Sequence, residues 1–260
     1  MAPVGADAVL KRDRTFVILG LACIAAISWA YMLYLGWGME KSMGMEMVMP
    51  RTQGWGGVDF ALMFVMWAVM MVAMMTLSAT PMILTFSRII RRRHEEHNPI
   101  VATGAFLAGY LVVWTIFSAV ATFAQWGLHR AALLSPMMVS NNPLLGGMLL
   151  IGAGVFQFTP LKHACLNHCR SPIGFFLTEW RDGNRGAFLM GVHHGTYCVG
   201  CCWLLMALLF VAGVMNLLWV ATIAAYVLVE KIVPAGHWVS RAIGLCIIVV
   251  GVWMVTRTFL

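Results

Sequence analysis

Long apolar runs separated by short polar segments dominate the chain, with runs near 15–36, 58–87, 100–128, 144–161, 186–212, 214–232 and 239–258. A helix that crosses a bilayer needs about 20 mostly apolar residues, so the pattern predicts an all-α polytopic membrane helix bundle of about seven transmembrane helices. The gaps between runs are too short to hold a separate soluble core. Residues 1–57 read as an N-terminal anchor helix followed by a Met-rich outside loop, and 58–260 as the membrane core domain. The fourth run is the shortest. It contains Gly146, Gly147, Gly152 and Gly154 and then meets Pro160, which ends or kinks a helix, so this segment is expected to be short or re-entrant.

Composition agrees with that frame: 61% of the 260 residues are hydrophobic and only 10% charged, with a mean hydropathy of +0.84. The net charge of +7 is accounted for by topology. Cytoplasmic loops collect Lys and Arg, and with the N-terminus inside, one side holds Lys11, Arg12, Arg14, Arg88, Arg91, Arg92, Arg93, Lys162, Arg170, Arg181, Arg185, Lys231 and Arg241. Only Lys41, Arg51, Arg130 and Arg257 of the 17 basic residues fall on the other, an N-in, C-out arrangement. No basic patch is interleaved with aromatics over a length that would bind nucleic acid. The first apolar run is long and lacks a small-residue cleavage site, so it reads as an uncleaved anchor.

Candidate chemistry lies in the sulfur and imidazole side chains, 7 Cys, 21 Met and 8 His in all. In the fifth run Met190, His194, Cys198 and Cys201 fall within about 80° of one another at 100° per residue, a single sulfur and nitrogen stripe. His193 and Cys202 flank it, and Gly191 and Gly195 make a small-residue strip that lets another helix approach closely. Thiolate, thioether and imidazole together suit Cu(I), whereas Cys and His alone suit zinc. A second cluster, Cys165, His168 and Cys169, follows Pro160. Cys165 and Cys169 share a face at a spacing of four, half of a tetrahedral site. They belong near the cytoplasmic surface while Cys198 lies deep in its helix, so either the fourth segment turns back towards the core or there are two sites. Free thiols or a metal are expected in preference to a disulfide on the reducing side. Cys23 and Cys246 each stand alone and read as packing.

Met63, Met66, Met70 and Met74 share a face of the second run with Trp67, and Met71 and Met75 an adjoining one. Such a stripe is more often core than ligand, with Met70 and Met74 kept as secondary metal donors. Met39, Met43, Met45, Met47 and Met49 crowd the first outside loop, where metal ligation and dipping into the headgroups are equally good explanations. Asn216 and the pair Glu230 and Lys231 are adequately explained by interhelical hydrogen bonding and an interfacial ion pair. His94, Glu95, Glu96 and His97 read as a solvated turn. No glycine-rich phosphate loop, zinc-protease helix or nucleophile elbow is present, so NTP-driven pumping and hydrolase chemistry lack support and a non-enzymatic role is favoured.

The combination of Trp67 to Met75, Thr159-Pro160-Leu161-Lys162 with Cys165, Cys169 and Arg170, Gly191 to Trp203, Met215-Asn216 and Glu230-Lys231 resembles the bacterial family catalogued as domain of unknown function 2182. That family is described as predicted metal-binding integral membrane proteins. The resemblance covers roughly residues 58–258 and implies the bacterial inner membrane and a bound metal. The leading expectation is thus a membrane protein that handles Cu(I), or zinc, and passes it across the bilayer or to a partner metalloenzyme. Two alternatives stand beside it: an accessory subunit scaffolding other membrane subunits among lipid, and a thiol oxidoreductase using its Cys pairs.

Overall fold

The structure, a computed structural model, describes residues 4–40, 55–93, 99–131, 142–214, 216–233 and 236–259. Among them every regular element is an α-helix: α1 (Val4–Glu40), α2 (Gly57–Arg93), α3 (Pro99–Arg130), α4 (Pro143–Phe156), α5 (Pro160–Arg170), α6 (Pro172–Glu179), α7 (Gly183–Ala207), α8 (Leu209–Ala212), α9 (Leu217–Ile232) and α10 (Gly236–Thr256). Among the described residues five stretches are long and apolar enough to cross a membrane: Arg14–Trp37, Gly57–Arg91, Pro99–Arg130, Gly183–Ala212 and Gly236–Thr256. The pair α4 and α5, bent by 63°, makes a sixth if taken as one broken span. The expected count of seven is not reached by length, because α9 has 16 residues. At 1.5 Å per residue it extends about 24 Å, short of a hydrocarbon core of about 30 Å.

The break between α4 and α5 has a local cause. Gly-rich α4 stops at Phe156, and Thr159 caps the next helix by accepting a hydrogen bond from the backbone N–H of Lys162, with Pro160 at its first position. Proline lacks an N–H and its ring clashes with the preceding turn, so the helix starts afresh and leaves at a new angle. Asn216 plays the same capping part for α9, accepting from the N–H groups of Leu218 and Trp219. The interhelical bond expected of Asn216 is replaced by this cap.

α3 packs most closely on α7, and α4 on α10, while α5 lies along α7 and α9 is wedged against α2, α5 and α10. The two tightest pairs meet at glycine. A methyl at Gly191 would overlap the carbonyl oxygen of Phe106, and one at Gly109 that of Phe188. On the other pair, Gly147 faces the backbone of Gly251 and Gly154 that of Gly244. The small-residue strip on the fifth run is thus the surface on which α3 sits. Replacing Gly191 by Val should cost about 1–3 kcal/mol through overpacking. Thermal unfolding in detergent checks this against Gly104→Ala, where nothing lies within 4 Å and a small gain in helix propensity is expected.

The inward face of α2 carries Met63, Met66, Trp67, Met70, Met71, Met74 and Met75, all buried. Trp67 donates to Gln125 Oε1 at 2.6 Å, and Gln125 Nε2 approaches Met63 Sδ at 3.7 Å, tying α2 to α3. The methionines therefore serve as core, as their periodicity suggested. Of the Met-rich loop, Met43, Met45, Met47 and Met49 lie outside the described residues, as do His94, Glu95, Glu96 and His97.

Candidate metal centre

The helical register of α7 sets the site. Met190, His194, Cys198 and Cys201 point into the bundle together and are buried, with Cys202 beside them. His193, one residue away and so about 100° around the helix, instead meets Glu179 Oε2 through Nδ1 at 2.9 Å, half-buried. The four residues of the expected stripe thus stay together on the inner face, while His193, also a candidate donor, turns away and engages α6.

The bend after Phe156 brings the second cluster to the first. α5 lies along α7, and the side chain of Cys169 interacts with those of Cys198 and Cys201. Cys202 interacts with the same two. Cys165, partly exposed, places its sulfur over Gly200, where a Cβ would stand 2.9 Å from it. The two Cys stretches, which their expected depths set apart, thus lie side by side. His168 is exposed and stands apart. Its ring stacks on Tyr197 at 4.4 Å, and its Nδ1 lies 2.9 Å from the carbonyl oxygen of Ala164. Cys23 and Cys246 are exposed on α1 and α10. All seven cysteines are free thiols.

Three polar residues that the sequence reading did not assign complete the surroundings. Lys231 Nζ donates to Cys198 Sγ at 2.9 Å and to Ser78 Oγ at 3.0 Å. The hydroxyl of Tyr110 lies 3.2 Å from the same sulfur and 3.1 Å from the carbonyl oxygen of Met75. The interfacial ion pair expected between Glu230 and Lys231 is not formed. Neighbours on a helix diverge by about 100°, so Lys231 turns to the thiols and Glu230 turns to Lys162 Nζ at 2.6 Å. Gln157, Tyr226 and Ser240 close hydrogen bonds around that second pair. Ionisable residues inside a span are functional candidates by default, and that rule was the available signal for Lys231.

Around Cys198 the thiols are turned to the helix backbone: Cys201 and Cys202 donate to the carbonyl oxygen of Cys198 at 3.1 and 2.9 Å. Among the described residues no three His, Cys, Asp or Glu side chains converge as a preformed metal cage. A cuprous ion requires less, since soft thiolates select Cu(I) and two of them suffice to hold it. His194 supplies a different sign. It is 2% exposed, and neither ring nitrogen has a hydrogen-bond partner. Its ring lies between Phe106, Tyr110 and Phe175 at centroid distances of 6.1, 5.5 and 5.8 Å. A buried imidazole with both nitrogens unpaired is costly, and a ligand for one of them removes part of that cost.

The fold is thus an all-helical bundle with several helices apolar enough to cross a membrane and with thiol, thioether and imidazole side chains buried together. Residues 64–254 match the copper chaperone family PpoB2, and the chain belongs to that family. No curated protein and no solved structure gives a significant match.

Proposed function

We propose that the protein binds Cu(I) as cargo between α5 and α7, through Cys169, Cys198, Cys201 and His194, and hands it on by ligand exchange. Cys165 and Cys202 are the neighbouring donors through which the ion enters or leaves, and Met190 a thioether at the deep end of the stripe. The observation that carries this reading is His194, buried beside the thiols with both ring nitrogens unpartnered. Membership of a copper chaperone family supports copper over zinc, the other metal that Cys and His donors admit. The setting we propose is the bacterial inner membrane, N-terminus inside, with a metalloenzyme as recipient, as the resemblance to domain of unknown function 2182 implies.

Anaerobic titration of the full chain in detergent with Cu(I), in competition with a chromophoric chelator, tests the proposal. One tightly held ion per chain is expected, with sulfur and nitrogen neighbours in its X-ray absorption spectrum. His194→Ala should weaken binding about 10-fold and remove the nitrogen contribution, a loss of roughly 1.4 kcal/mol. Because thiols lose their protons on metal binding, the apparent affinity should rise with pH across the neutral range. A chain that takes up no Cu(I), and that co-purifies unchanged with other membrane subunits when Cys165 and Cys198 are Ser, would be a scaffold instead.

A further inference from the structure

Lys231 is a buried cation, 8% exposed, with no carboxylate in ion-pair range among the described residues. Its helix neighbour Glu230 is committed to Lys162. An ammonium placed this way is expensive, and its direct contacts are a sulfur and a hydroxyl: Cys198 Sγ at 2.9 Å and Ser78 Oγ at 3.0 Å. Tyr110 reaches the same sulfur at 3.2 Å. Among the described residues Cys198 is thereby a thiol that two polar side chains from other helices address.

We propose that Lys231 is the fixed counter-charge of the metal centre and makes it select a monovalent over a divalent ion. This rests on the copper-binding reading above. Cu(I) needs only two of the three thiols of Cys169, Cys198 and Cys201 at a time; when it takes two, two protons leave and the resulting bis-thiolate centre carries one negative charge, His194 being a neutral donor. The ammonium of Lys231 brings the buried set to zero. The same two thiolates around Zn(II) are already neutral, so Lys231 then leaves one uncompensated positive charge in a low-dielectric interior, where such charge is most costly. Zn(II) recovers balance only when the third of the three proposed thiols ionises as well, a further buried proton loss that Cu(I) does not require. Charge matching thus adds to the softness of sulfur in rejecting zinc.

Lys231→Met and Lys231→Arg, in the full chain in detergent, test the assignment. Cu(I) and Ag(I) are the monovalent probes, and Zn(II) and Co(II) the divalent ones. In Lys231→Met the ratio of Cu(I) to Zn(II) affinity should fall by about 10- to 100-fold, as expected for one unit charge a few ångströms away. Co(II) should then develop thiolate charge-transfer absorption at lower concentration. Lys231→Arg keeps the charge and should restore most of the ratio. An unchanged ratio in Lys231→Met, or an equal loss for both ion types that Arg does not rescue, would show that Lys231 only packs the helix. If the unaltered chain binds no Cu(I), the copper reading fails and this inference with it. If it binds Cu(I) and only the ratio refuses to move, the copper reading stands and Lys231 alone is excluded.

Discussion

The double substitution Cys198→Ser and Cys201→Ser is expected to lower Cu(I) affinity by at least about 1,000-fold, equivalent to roughly 4 kcal/mol. Serine keeps the size of the side chain, and its hydroxyl can bond the preceding turn as these thiols do. The loss therefore isolates the donor atom. A neutral hydroxyl is a hard, weak donor for a soft cuprous ion, and Cys169 with His194 cannot by themselves supply two sulfurs. The same exchange at Cys23 and Cys246, both exposed and far along α1 and α10, should leave the titration unchanged. Anaerobic chelator competition on the two double variants makes the comparison direct. Equal affinities for the Cys198 and Cys201 double variant and the unaltered chain would remove the site from α7.

Glu230→Leu is expected to be the most destabilising single change, by about 3–5 kcal/mol, because it strands a buried charge. Glu230 and Lys162 are 1% and 0% exposed and stand 2.6 Å apart, with Ser240 and Tyr226 also bonding the carboxylate. Without the carboxylate the ammonium of Lys162 retains Gln157 as a hydrogen-bond acceptor but no compensating charge. Lys162→Met in the same chain should recover much of the loss, since replacing both members of a buried pair by apolar side chains is often neutral. Thermal unfolding of the two single variants and the double variant in detergent closes the cycle. Additive losses would mean the pair contributes no coupling and that each residue acts through its own packing.

Much of the site was legible in the sequence because its residues are close together in the chain. Met190, His194, Cys198 and Cys201 recur at helical spacing, so their common face follows from the period alone. The break after the fourth run was marked by glycines and Pro160, and the choice between one site and two turned on the bend that this proline imposes. The small-residue strip at Gly191 and Gly195 likewise announced a close helix contact, which α3 makes. What escaped were single residues brought in by tertiary packing. Tyr110 and Lys231 reach Cys198 from two other helices, and Ser78 accepts from Lys231 on a third, at separations that no local period encodes. Lys231 was hidden further by its neighbour Glu230: opposite charges side by side suggest an ion pair, yet a helix points them at different partners. The length of α9 is a similar case. Its apolar run continued through Val214 and Met215, but Gly213, at φ 94°, and the Asn216 cap cut it to 16 residues.

That Lys231 comes from a helix later in the chain than the thiols it meets also has a consequence for biosynthesis. Cys169 leaves the ribosome first, the thiols of α7 follow, and Lys231 comes 33 residues after Cys198. At 5–20 residues per second the emerging chain spends about two seconds or more with its sulfurs made and their cation still missing. A nascent segment thus presents its thiols before the ammonium that Lys231 places against Cys198 in the folded chain.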